Sequence, residues 1–241
     1  MRLDVAVTPD VLQTADLASS TVLVVDVLRA STTIITALAN GCVAVVPVTD
    51  ADEARLRATA TPGALIAGER RGEPLQGFDL GNSPLEFSAV RVGGRTVVFT
   101  TSNGTRALVA VRGAAAVAVA AFVNASAAAA WAVAQGRDVL VACAGERGAV
   151  SLEDHVCAGL LVERALVAEP AASITPAAAA AHALARRYGK DVARLATDSG
   201  WARHLAASGR GADVTTCLAL DTATLVPVYL PHVDKVVWAR E

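Results

Sequence analysis

Seven short β-branched runs, separated by segments patterned as helices, limit what this chain can fold into. The runs are "LDVAVT", "TVLVVDVL", "CVAVVPV", "ALIAGE", "TVVFTTS", "AAVAVAA" and "DVLVACAG". They are continuously apolar rather than alternating, which is the pattern of strands buried on both faces. Helical patterns fall between them at 32–40, 51–58, 105–111, 125–135 and 152–167, and Asn40-Gly41 supplies a stop for the first. Such βαβα alternation predicts an α/β layered fold, with a large mixed, mostly parallel β-sheet flanked by helices. From Pro170 the pattern turns helical at 176–188, 191–196 and 199–207. The strand-like "TLVPVYL" and "DKVVWAR" then suggest a return to the main sheet. One domain over 1–241, with a helical subregion at 170–210, is expected. The alanine tracts read as helix-favouring composition rather than as a repeat.

A chain of 241 residues that is 54% hydrophobic can bury a substantial core. Its net charge is -2 and only 4% of its residues are aromatic. With no basic stripe, a nucleic-acid partner is not expected. No run approaches the ~20 apolar residues of a membrane span, and the start lacks the apolar stretch of a signal peptide. Cysteines 42, 143, 157 and 217 include no C-x-x-C pair, so they read as buried thiols of a reducing, cytoplasmic compartment. Histidines 155, 182, 204 and 232 are too scattered to suggest zinc.

Polar residues collect where strands end, the place where open α/β sheets bind ligands. After "VLVV" come Asp26, Arg29 and the hydroxyls Ser31, Thr32 and Thr33. One hydroxyl is explained by helix capping. Free N–H groups, hydroxyls and a guanidinium together also make an anion site, to which a carboxylate adds a possible magnesium ligand. The loop "GERRGEPLQGFDLGNSP" carries Glu69, Asp79, Asn82 and Ser83. It reads either as a functional loop or as a solvated charged one, and its end as simple turn chemistry. "TTSNGT" places Ser102, Asn103, Gly104 and Thr105 between a strand and a helix, a phosphate-cradling layout without the P-loop lysine. "CAGERGAVSLED" ends with Ser151, Glu153 and Asp154, a capping-box spacing that also offers acids as ligands or bases. Asp213 and Asp221, in the late "DVTTCLALD", are a weaker fifth point.

The common phosphatase nucleophiles fail on spacing. No cysteine precedes a phosphate loop ending in arginine, no aspartate pair two apart follows the first strand, and neither "RHG" nor a Gly-x-Ser-x-Gly elbow occurs. Carboxylates, hydroxyls and backbone donors remain, and they point to metal-assisted hydrolysis. Taken together, "VVDVLRASTTI", "GERRGEPLQGFDLGNSP", "TTSNGT", "CAGERGAVSLED" and the late "DVTTCLALD…VPVY" resemble the 2-phosphosulfolactate phosphatase family. The resemblance implies a magnesium-dependent phosphatase that cuts 2-phospho-3-sulfolactate to sulfolactate and phosphate on a coenzyme M pathway. On this resemblance, Asp26, Glu69, Asp79 and Asp154 include the Mg2+ ligands and a water-activating base. Arg29 and the starts at Ser31, Thr32 and at Ser102, Asn103, Gly104, Thr105 hold phosphate and sulfonate, with Asn82 and Ser83 also binding substrate. The attacking group is water, or a hydroxyl such as Ser102. The partner is a small anionic phosphorylated substrate, with no nucleic acid and no membrane, and a homo-oligomer is expected. The alternatives are a phosphatase for another, close phosphorylated hydroxy acid and a non-catalytic sensor of phosphorylated acids, the latter disfavoured by the carboxylate count because nearby acids hinder anion binding.

Overall fold

The computed structural model describes residues 1–14 and 16–238. The last two residues of the "DKVVWAR" run, Ala239 and Arg240, lie outside that range. Eleven strands form one mixed sheet: β1 (Arg2–Ala6), β2 (Ser20–Val25), β3 (Ala44–Val48), β4 (Leu65–Arg70), β5 (Glu73–Pro74), β6 (Thr96–Thr100), β7 (Ala116–Ala120), β8 (Asp138–Cys143), β9 (Ser173–Ile174), β10 (Pro227–Leu230) and β11 (Lys235–Trp238). Their order is β5-β4-β6-β3-β11-β10-β7-β2-β8-β1-β9. The seven runs read from the sequence are all strands, and the two closing runs enter the same sheet. The layered α/β architecture is therefore as expected.

The helices are α1 (Ala30–Ala39), α2 (Ala51–Thr59), α3 (Ala89–Val92), α4 (Gly104–Ala110), α5 (Ala125–Ala134), α6 (Leu152–Ala168), α7 (Pro176–Tyr188), α8 (Leu195–Asp198), α9 (Gly200–Leu205) and α10 (Gly211–Cys217). Strand β2 shows why its residues are all apolar. Val22 and Val24 enter a core built with α1 and α4, while Leu23 and Val25 enter one built with α5 and α6. Each fully buried Val or Leu there contributes roughly 1.5–3 kcal/mol. Two details differ from the sequence reading. The expected helix at 191–196 is a 3-10 turn, Val192–Arg194, running into α8, and "GADVTTC" forms the unforeseen α10. Among the described residues no helix is long and apolar enough to cross a membrane.

The sheet holds two parallel blocks, β1, β2, β7 and β8 on one side and β3, β4 and β6 on the other. The β10–β11 hairpin lies between them and pairs antiparallel to both β7 and β3. Three successive reversals set the blocks in opposite senses. In a flat sheet their carboxyl ends would sit on opposite edges. Five strand-to-strand steps separate β6 from β2, and each twists by about 20–25°. The ends of β2 and β6 nevertheless meet, with Asp26 against Gly104.

Candidate active site

Asp26 begins the loop after β2 and caps α1 with its own side chain. Its Oδ1 accepts from Ala30 N at 3.2 Å, and its main-chain N–H donates to Ser31 Oγ at 2.9 Å. The carboxylate is buried and lies against Gly104 at the start of α4: a Cβ at Gly104 would stand 2.6 Å from Asp26 Oδ2 and 2.6 Å from Ala30 Cβ. Gly104 is thus glycine because two helix starts meet there. Burial pushes the Asp26 carboxyl up to about 7, helped by the charges of Glu69 and Glu153 and opposed by the Ala30 N–H and by Arg29. Gly104→Ala is expected to displace Asp26, lowering kcat at least about tenfold and stability by about 1–3 kcal/mol. Phosphate-release kinetics and a melting curve check both numbers, and an alanine variant with unchanged kcat would contradict this contact.

Glu69, at the end of β4, joins two loops. Its Oε2 accepts from Gly72 N at 2.7 Å in the β4–β5 turn, and its Oε1 accepts from Ser102 N at 2.8 Å in the β6–α4 loop. Ser102 Oγ also donates to Glu69 Oε2 at 3.3 Å and accepts from Arg71 N at 3.2 Å. Asp154, in the first turn of α6, does the same between the β2 and β8 loops. Its Oδ1 accepts from Val27 N at 2.8 Å and its Oδ2 from Gly145 N at 3.1 Å. Ser151 Oγ caps Asp154 N, as the capping-box spacing suggests, but the acid turns away to the loops instead of back to its own helix start. Burial, Asp26 and Glu153 hold the Asp154 carboxyl well above the carboxylate range; burial raises Glu153 as well.

Arg29 is buried. Its Nη1 reaches Asp213 Oδ2 at 2.6 Å and its Nη2 donates to Gly72 O at 2.9 Å. Asp213 Oδ1 accepts from Ser83 Oγ at 2.5 Å. The weakest sequence signal therefore anchors the arginine nearest the floor, and it does so from α10.

These loops enclose an open basin of about 930 Å³ beyond the carboxyl ends of β2, β3, β4, β6 and β8. Asp26, Arg29, Glu69, Asn82, Ser102 and Asn103 line it. Several proposed ligands do not. Asp79 is exposed, and its Oδ2 accepts from Ile66 N at 2.8 Å as a loop support. Asp154 sits behind the floor. Ser31 Oγ donates to Val24 O, Thr32 Oγ1 to Val27 O, and Thr105 Oγ1 is closed in a reciprocal pair with Thr101. Ser83 faces Asp213. At the two helix starts protein oxygens occupy Ala30 N, Ser102 N and Thr105 N. Sequence reasoning left Arg70 and Arg71 unassigned and passed over Arg106, Arg147 and Trp201, which also line the basin. The "GERR" and "GER" strings carried that signal. Asn82 is buried, and its side-chain oxygen has no partner.

Among the described residues no three His, Cys, Asp or Glu side chains gather closely enough to hold an ion alone. The donor set fits a less demanding arrangement. Mg2+ commonly takes one or two carboxylates, with waters and substrate phosphate filling the remaining positions. Asp26 and Glu69 face the same basin, and the charge of Glu69 helps to raise the Asp26 carboxyl. That pair suits a magnesium ion; Asp79 and Asp154 do not reach it.

A family model described as 2-phosphosulpholactate phosphatase matches residues 6–231. A protein of Symbiobacterium thermophilum named "Probable 2-phosphosulfolactate phosphatase" is 39% identical over 216 residues, 89% of this chain and 93% of that one. One of Pseudothermotoga lettingae with the same name is 40% identical over 213 residues, 86% and 88% of the two chains. Another, of Clostridium acetobutylicum, is 32% identical over 231 residues, 95% and 97%.

Proposed function

This chain belongs to the 2-phosphosulfolactate phosphatase family, and from that premise we propose that its basin hydrolyses 2-phospho-3-sulfolactate to sulfolactate and phosphate with Mg2+ as cofactor. The observation that carries this reading is one basin in which Asp26 and Glu69 stand beside a buried, immobilised Arg29.

Asp26 and Glu69 would hold the magnesium, which supplies charge neutralisation for the phosphoryl oxygens. Arg29 is fixed on two sides by Asp213 and Gly72 O. Its remaining N–H groups are pre-oriented to bind phosphoryl oxygens. In the metal-free protein burial pushes the Asp26 carboxyl up to about 7, and a bound cation would hold it ionised, able to take a proton from an attacking water. Asn82 offers an unused acceptor to orient that water. Ser102 Oγ already donates to Glu69, which supports a positioning role in this reading. We place the enzyme in the cytoplasm on its four free, buried cysteines.

The test is phosphate release from 2-phospho-3-sulfolactate, with Mg2+ and with excess chelator. Release is expected with the metal and should fall at least about 100-fold without it, because removing a positioned charge of this kind costs that much. Undiminished release in verified metal-free protein rules out the cofactor. Tight binding of the substrate without release makes the protein a sensor instead.

A further inference from the structure

Arginine is the cation of this basin: Arg29, Arg70, Arg71, Arg106 and Arg147 all line it. Two are committed to the protein. Arg29 is paired with Asp213. Arg70 donates to Glu69 O, Thr49 O and Thr100 Oγ1. The other three differ. Arg71 comes from the β4–β5 turn, Arg106 from α4 and Arg147 from the loop after β8. All three are exposed at the rim, and among the described residues none has a carboxylate in ion-pair range. Of the acids that share the basin, Asp26 accepts from Ala30 N, Glu69 from Gly72 and Ser102, and Asp50 caps α2 through Asp52 N and Glu53 N, while Glu146 stands next to Arg147 in sequence without an ion pair to it.

We propose that Arg71, Arg106 and Arg147 form the subsite for the anionic groups of the substrate that are not transferred, its sulfonate and carboxylate. This rests on the phosphatase reading above and adds what sets its selectivity. The phosphoryl group must lie at the floor, within reach of Asp26 and Arg29. The rest of a short acid then extends towards the rim. Of the helix-start donors, Ala30 N, Ser102 N and Thr105 N are taken by the protein's own oxygens. Three guanidiniums from three separate elements remain, and a guanidinium fork matches the oxygens of a sulfonate or carboxylate in paired hydrogen bonds. Unpaired like charges around a cavity raise its potential and draw in a polyanion.

The experiment uses the full chain, loaded with Mg2+, and the variant carrying Arg71→Gln, Arg106→Gln and Arg147→Gln together. All three sites are exposed, where substitutions disturb folding little. The readout is the ratio of kcat/KM for 2-phospho-3-sulfolactate to that for p-nitrophenyl phosphate, which has no second anion. The ratio is expected to fall at least about 30-fold, mainly through KM for the sulfonate- and carboxylate-bearing substrate. An unchanged ratio overturns the proposal, whether both rates fall together or neither does. Titration with 3-sulfolactate provides a reading that needs no turnover. Weaker binding by at least about tenfold in the variant supports the subsite even if the wild type releases no phosphate, a result that would reject the phosphatase reading alone. Equal binding by wild type and variant overturns the subsite.

Discussion

Asp26→Asn is expected to lower turnover by at least about 10³-fold while leaving the fold as stable as the parent, or more stable, above neutral pH. The loss follows from the two tasks given to one carboxylate, a cation ligand and a proton acceptor, since general-base catalysis alone contributes roughly 10²–10⁴-fold. The stability gain follows from burial. Asp26 is raised from 3.8 to about 7 in the folded protein. An acid raised by folding stabilises fully below its unfolded value, and that contribution is lost as pH rises through the folded value. Above pH 7 in metal-free protein the ionised group costs about 4 kcal/mol at most, at 1.36 kcal/mol per unit. Asparagine keeps the shape and the acceptor for Ala30 N without that charge. Glu153 and Asp154 are raised in the same direction, so the parent's melting temperature should fall from pH 5 to pH 8, and the asparagine variant's should fall less. Phosphate release measured beside metal-free melts at the two pH values separates the cases. An early-melting variant that keeps its specific activity would make Asp26 a structural cap only.

Asp213→Ala is expected to cost about 3–5 kcal/mol of folding stability, because it leaves the buried Arg29 guanidinium without its carboxylate and Ser83 Oγ without its acceptor. Turnover should fall as well, since Arg29 loses the contact that orients it. Removing both charges in Arg29→Met, Asp213→Ala should cost less than the sum of the single losses, as the uncompensated charge goes with its partner. Urea denaturation of the four proteins yields the coupling. Strict additivity, or a single-variant loss under about 1 kcal/mol, would mean that the pair does not hold the late helices to the basin.

Much of the fold was legible because it rests on near neighbours. The apolar runs needed only their own residues to be recognised as strands buried on two faces. The capping of α6 by Ser151 and the stop at Asn40-Gly41 are equally local. The place of the site was legible too, since polar clusters followed four strand ends. What the individual acids do there was not. Asp26, Glu69, Asp79 and Asp154 look alike along the chain, yet Asp79 supports an exposed loop and Asp154 staples two others from behind.

By itself, the sequence determined the α/β class, the strands and most helices, the clustering of chemistry at strand ends, and the family. Tertiary structure decided the rest. The late β10–β11 hairpin enters the middle of the sheet and reverses one parallel block against the other, and the folded sheet still brings Asp26 to Gly104. The same folding closes Ala30 N, Ser102 N and Thr105 N with protein oxygens and leaves three arginines open. The reason is range. Strand and helix patterns come from residues a few positions apart, whereas the partner of Asp154 is Val27, 127 residues away, and that of Arg29 is Asp213, 184 residues away. Whether a buried carboxylate is a ligand or a staple depends on which N–H group or guanidinium the completed fold sets beside it.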